Sequence, residues 1–249
     1  MKKNLLALAF LVGLLTCCKS EDAPIKPVKP TDPGSINKEY MSRAETTFAN
    51  IFKYYWSDKV RMMFGSYPNT LGTPQEPSSP DYDSHAYLWG LGSVVSAFNA
   101  IVQNTDNVDF RMTYESRLKE TLLKYYNTTK EPMCFGCFVN PHDQRLYDDA
   151  IWVGIDLADL YSKTKDSWYL DYAKSVWNFV LSGKDDELGG GVYWDENAKD
   201  SKNTCSNAPA VVLALKLYQI TNDAAYLENG KDIYKWTKSK LQDPSDYLY

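Results

Sequence analysis

Two neighbouring aspartates, Asp148 and Asp149, are the residues of this chain best placed to do chemistry. They stand in Leu146-Tyr147-Asp148-Asp149-Ala150-Ile151-Trp152, where apolar residues at helical spacing begin. One aspartate is enough to accept from the free N–H groups of a helix's first turn and to meet the positive end of its dipole. Capping is therefore the plain reading of either residue. A second carboxylate exceeds that need and carries charge into an aromatic neighbourhood. Glycoside cleavage asks for two carboxyl groups: an acid to protonate the leaving oxygen and a carboxylate on the other side of the sugar. Consecutive Cα atoms stand about 3.8 Å apart, and on a helix their side chains diverge by about 100°. Such a pair reaches the roughly 5–5.5 Å separation of a retaining mechanism more easily than the wider inverting gap. The carboxyl nearer the helix amides should stay ionised, and the one against an aromatic wall should keep its proton. The residues alone leave open which is which.

Further polar and aromatic candidates lie nearby. Trp194 and Asp195 follow Gly189-Gly190-Gly191, and offer a stacking platform and a hydroxyl acceptor, with the glycines letting backbone approach a ligand. The alternative is a tight turn around a packed tryptophan. Tyr147, Trp152 and Trp89 are candidates to line a sugar groove, and core packing is the alternative for Trp89, Trp152 and the nearby Tyr87. Cys134-Phe135-Gly136-Cys137 is a C-x-x-C, but no second such pair and only two histidines are present to complete a zinc site. A local disulfide or two buried thiols is the better reading. His85 and His142 read as structural or loop residues.

Composition narrows the partner. The net charge is −5, and it becomes more negative once Lys2 and Lys3 are removed with a leader. No basic run is present, which argues against nucleic acid. Aromatics make up 14% of the chain, with 19 Tyr and 7 Trp, enough to fill a core and still stack on the sugars of a neutral polysaccharide. The first residues belong outside the fold: two lysines precede an apolar run, 5–15, too short to span a bilayer and of signal-peptide length. Leu15-Thr16-Cys17-Cys18 resembles a bacterial lipobox with Cys18 as the lipidated residue. An ordinary signal peptide, or lipidation at Cys17, is the alternative. Pro24, Pro27, Pro30 and Pro33 then recur in a polar stretch suited to an extended tether. Ser20-Glu21-Asp22 resembles a surface-export signal of some Bacteroidetes lipoproteins. The expected organisation is a signal peptide over 1–17, a tether over 18–41 and one folded domain over 42–249, lipid-anchored at the outer membrane or cell surface and monomeric.

The folded part reads as helix after helix. Apolar residues fall at helical spacing over 42–56, 87–102, 114–126, 149–162, 169–181, 208–218 and 226–241. The helices repeat: residues 148–180 shifted by 57 lie without gaps on 205–237. Leu160-Tyr161 then meets Leu217-Tyr218, Thr164 and Asp166 meet Thr221 and Asp223, and Tyr169-Leu170 meets Tyr226-Leu227. A weaker third copy lies around 85–126. A hairpin of this kind covers its apolar faces only by stacking on its neighbours, which predicts an all-α toroid or solenoid. In a ring of such hairpins the first helices line the inside and their N-termini gather at one end. That brings Asp148–Asp149, the segment Ser206-Asn207 and the segment 87–89 to one opening. Asn203 and Asn207 flank the counterpart of the acidic pair in the next repeat. Their amides suit sugar hydroxyls, with helix capping by Ser206 or Asn207 as the alternative.

Tyr147-Asp148-Asp149-Ala150-Ile151-Trp152, the hairpin ending Trp168-Tyr169-Leu170-Asp171-Tyr172-Ala173-Lys174, then Gly189 to Trp194 and Lys202-Asn203-Thr204-Cys205-Ser206-Asn207-Ala208-Pro209 occur in this order. Together they are similar to glycoside hydrolase family 76, the endo-α-1,6-mannanases, over the region from about Tyr40 onward. The resemblance implies an (α/α)6 barrel that cleaves the α-1,6-linked backbone of fungal-type mannan with retention, with Asp148 as nucleophile and Asp149 as acid/base. It implies no cofactor. A twelve-helix ring at this period needs about 340 residues, so seven of twelve helices and a C-terminally shortened barrel are expected. The short chain favours the competing reading, a non-catalytic surface glycan-binding lipoprotein on the same repeat. A sugar epimerase on a related barrel would lean on histidine, and neither histidine sits in a suitable motif.

Overall fold

The computed structural model describes residues 38–68, 85–139 and 144–249, within one compact unit, Asn37–Tyr249. The leader, Cys18, the tether up to residue 37 and His142 lie outside the described residues. Among the described residues seven α-helices carry the fold: α1 Lys38–Tyr55, α2 Leu88–Asn104, α3 Val108–Tyr125, α4 Tyr147–Thr164, α5 Ser167–Ser182, α6 Thr204–Thr221 and α7 Ala224–Leu241. Two antiparallel ribbons of two residues per strand sit at helix ends. In the first, β1 Trp56–Ser57 pairs with β2 Met62–Met63; in the second, β3 Tyr126–Asn127 pairs with β4 Cys134–Phe135.

The repeat in the sequence is a repeat of turn chemistry. After α4 and after α6 the chain passes through a left-handed residue, Lys165 (φ 62°) and Asn222 (φ 58°). Asp166 then caps α5 by accepting from Trp168 N at 3.0 Å, and Asp223 caps α7 by accepting from Ala225 N at 2.9 Å. Thr164 and Thr221 each donate to the carbonyl four residues back, at 2.7 Å, and accept from the backbone N–H of the capping aspartate. The residues the two copies share are those this turn needs.

Packing follows from which faces are apolar. Helix α4 lies against α2, α5 and α6, and α6 lies against α7. It therefore buries ten residues, including Ala150, Ile151, Leu157 and Leu160, on nearly every side. The inner helices α2, α4 and α6 run parallel and in register. Asp156 of α4 accepts from Ser96 (2.5 Å) and Asn99 (2.8 Å) of α2, and Asp159 of α4 accepts from Lys216 of α6 at 2.5 Å. Three starts differ from the sequence reading by four residues or more, the first being α1, which begins at Lys38 rather than 42. Helix α3 begins at Val108 rather than 114 because the Asn107 carboxamide accepts from Phe110 N at 3.0 Å. Helix α6 begins at Thr204 rather than 208 and carries Pro209 inside it, so Cys205 O receives no helical N–H from that position. Among the described residues no helix is long and apolar enough to cross a membrane.

Candidate active site

The N-termini of α2, α4 and α6 meet at one end of the molecule, and the acidic pair stands on the middle helix. Leu146 is the N-cap of α4 and makes no side-chain cap. Neither Asp148 nor Asp149 accepts from a backbone amide in the described hydrogen bonds, so capping does not account for the pair. The two carboxyls have different surroundings. Asp148 Oδ2 accepts from the Trp194 indole N–H at 3.3 Å, while its Oδ1 is buried with no hydrogen-bond partner among the described residues. The Cys205 thiol of α6 faces the same carboxylate; burial first, and then the Asp148 charge, push that thiol's pKa up.

Asp149 faces the α2 side of the helix, against an apolar wall. It lines a cavity of about 710 Å³ together with Tyr55, Met63, Phe64, Leu91 and Phe138. It also lines a second hollow of about 300 Å³ with Trp89, Ser96 and Trp152. Burial, helped by the neighbouring Asp148 charge, raises its pKa from 3.8 to about 6, although the Cys137 thiol donates to it. Cys137 in turn is pushed up by burial and by the Asp149 charge. Both members of the C-x-x-C are buried free thiols, so the motif forms no disulfide here. Among the described residues no group of three or more His, Cys, Asp or Glu is arranged to hold a metal ion.

A loop from α5 to α6, residues 183–203, closes the site on its α6 side. It is held by groups that sequence reasoning left out. Lys202 is buried, and its ammonium donates to Asp185 (2.7 Å) and to the carbonyls of Glu187 and Gly190 (both 2.8 Å), over the Tyr193 ring. Arg145, also fully buried, grips Glu196 through two hydrogen bonds of 2.8 and 2.5 Å, and donates to Pro132 O. Arg145 was legible only as a charge and Lys202 only as part of a motif; what marks them is the partners they find, Glu196 for Arg145 and the loop's own Asp185 and carbonyls for Lys202.

The match to known proteins fits this geometry. The family model described as Glycosyl hydrolase family 76 matches residues 39–249. The chain belongs to this family. Among solved structures, a family 76 glycoside hydrolase from a bovine Bacteroides thetaiotaomicron strain is 31% identical, with a TM-score of 0.73 over 84% of this chain and 44% of that one. A family 76 mannosidase of Bacteroides thetaiotaomicron is 26% identical, with a TM-score of 0.72 over 85% of this chain and 56% of that one. A likeness of fold at 24% identity and a TM-score of 0.61 covers 82% of this chain and 52% of its match. That match is an inactive variant of the α-1,6-mannanase of a Salegentibacter species, with two consecutive aspartates replaced, in complex with α-1,6-mannotetrose. The chain thus spans about half the length of the solved structures it matches. No curated protein matches it.

Within this family 76 fold the sequence candidates sort by exposure. Trp89 (55% exposed), Trp152 (43%) and Trp194 (36%) stand open at the site, and Trp89 and Trp152 line its hollow, so these tryptophans are not core residues. Tyr87 is also exposed and lines the larger cavity. Three candidates for sugar contact are corrected. Tyr147 is buried and stacked on Phe179, with centroids 4.3 Å apart. Asn207 is fully buried, and its amide is taken up by Val192 N–H (2.7 Å), Val192 O (2.8 Å) and Asn203 O (2.9 Å). Asp195 is 8% exposed and turns its carboxylate onto the backbone N–H of Asn197 at 2.7 Å. Asn203 is exposed and is the N-cap of α6 without a side-chain cap bond. The glycines are needed for another reason than a ligand: at Gly191, φ is 79° and a Cβ would lie 2.5 Å from the Trp236 ring. His85 is buried and stacked with Phe64, as a structural residue would be.

Proposed function

We propose that this chain carries the catalytic half of a retaining endo-glycosidase that cleaves α-1,6-mannosidic linkages in fungal-type mannan. One observation carries the reading: of two adjacent carboxyls, Asp149 faces an apolar wall that holds its proton to about pH 6, while Asp148 meets an indole N–H as a carboxylate would. Asp149 is then the acid that protonates the leaving mannosyl oxygen and later the base that activates water. Asp148 is the nucleophile that forms and releases the glycosyl-enzyme ester. Their adjacency on one helical turn suits the short separation of retention. Trp89, Trp152 and Trp194 offer ring faces to the mannosyl units on either side of the cleaved bond. The substrate class is supported by the name of the mannosidase the chain resembles and by the mannotetrose bound to the Salegentibacter variant.

The protein is further proposed to be held at the outer membrane or cell surface by lipid on Cys18, with 18–41 as the spacer. A monomer acts alone on the polysaccharide, and no cofactor takes part. Purified chain incubated with linear α-1,6-mannan is expected to release oligosaccharides whose new reducing ends are initially α, read by proton NMR. Asp148→Asn and Asp149→Asn are each expected to lower the rate at least about 1,000-fold with little loss of binding. Binding without any release by the unaltered chain would leave the glycan-binding reading in its place.

A further inference from the structure

The indole of Trp194 does more than present a face. Its backbone is pinned to the start of α4 on both sides: Tyr147 N donates to Trp194 O at 3.0 Å, and Glu196 N donates to Arg145 O at 3.3 Å. Leu146 and Asp195 form an antiparallel bridge between these bonds. Trp194 N in turn donates to Ser201 O at 3.1 Å, and Arg145 holds Glu196 through its guanidinium. The loop therefore moves as one body with the helix that carries Asp148, and the indole has one place to lie. Its N–H reaches Asp148 Oδ2. Among the described residues it is the one nitrogen or oxygen donor on this carboxylate, whose Oδ1 has no partner; the only other group against it is the weakly donating Cys205 thiol.

We infer that Trp194 is a positioning residue for Asp148, fixing the carboxylate's rotamer through the indole N–H and so presenting it to the anomeric carbon. An aspartate side chain has two soft torsions, and a nucleophile loses rate when its reacting oxygen samples the wrong wells. The indole bond removes that freedom before substrate arrives. A stacking platform would act through the ring face and on affinity; a positioning donor acts through one hydrogen atom and on the chemical step. The inference rests on Asp148 being the nucleophile of the proposed glycosidase.

The two can be told apart with Trp194→Phe, which keeps an aromatic face and deletes the donor. The expected result is a fall in kcat of about 10- to 100-fold with KM held, the range for one lost hydrogen bond to a charged group. Trp194→Ala is expected to lower kcat equally and to raise KM as well. Unchanged kcat in Trp194→Phe, with KM alone raised in Trp194→Ala, would make the residue a platform and overturn the inference. The bond itself has a readout that needs no turnover. In a ¹⁵N–¹H spectrum of the unaltered chain, the indole resonance that disappears in Trp194→Phe should move upfield in Asp148→Ala, as a lost hydrogen bond requires. If that resonance stays in place, the indole does not hold Asp148, whatever the activity. If it moves but the unaltered chain cleaves no mannan, the contact stands and the glycosidase reading is what fails.

Discussion

At the scale of single residues, the asymmetry between two neighbouring carboxyls governs both activity and stability. Asp149 titrates at about 6 in the folded chain against an ordinary 3.8, because burial and the Asp148 charge both oppose its ionisation. As the acid it must be protonated in the free enzyme, so kcat/KM on a mannan oligosaccharide is expected to fall about tenfold per pH unit above about 6. A profile flat to pH 8 would remove Asp149 from the acid role. The same shift acts on folding with a definite sign. A carboxyl whose folded pKa is raised stabilises the fold fully below 3.8, and that contribution is lost as pH rises through 6. Asp149→Asn therefore should be more stable than the unaltered chain at pH 8, by about 1–2 kcal/mol after allowance for partial solvent screening. The difference should vanish at about pH 3, below both values. Urea unfolding at both pH values measures it, and equal stability at pH 8 would mean that burial and the Asp148 charge do not raise the carboxyl's pKa. The pair was legible from its two neighbouring charges at the start of an apolar helix. Its division of labour was not, because the apolar wall comes from Met63, Phe64 and Phe138, distant in the chain.

At the scale of elements, the seven helices were legible because the periodicity of their apolar residues is strong, and the hairpin repeat because its turn demands the same threonine, left-handed residue and capping aspartate twice. The loop over 183–203 was legible as unusual backbone carrying candidate sugar contacts, but not in how it is held. Its glycines do adopt the left-handed region, yet the group they make room for is Trp236 of α7, which no local pattern reveals. Asn207 was misread for a related reason: a buried amide that crosslinks a loop has the same sequence signature as one that meets a sugar. Its true role makes a sharp expectation. Asn207→Ala leaves the N–H and C=O of Val192 buried without partners, and should cost about 2–4 kcal/mol by urea denaturation. A binding residue at the surface would cost almost nothing, so a loss under 0.5 kcal/mol, roughly the surface norm, would restore the sugar-contact reading.

At the scale of the whole molecule, the helices are not equally anchored. Helix α4 buries ten residues and is flanked by α2, α5 and α6, whereas α1 buries only Phe48 and Phe52, and α7 buries four residues. Local opening follows the apolar area and backbone hydrogen bonds that must be given up, so stability should be graded from the middle of the arc outward. The inner helices are also stitched at matching heights, by Ser96 and Asn99 to Asp156 and by Lys216 to Asp159. The acidic pair thus sits at the N-terminus of the helix that buries the most residues among those described. Catalysis by two carboxyls needs that placement, because their separation and burial must hold to a fraction of an ångström while sugar binds. In native-state hydrogen exchange the amides of 151–160 are expected to be the last to exchange, at or near the global unfolding free energy, and those of α1 among the first. Protection of α1 equal to that of α4 would show the unit opening all at once. The rigidity of the pair would then come from the molecule as a whole, and not from its place on the central helix.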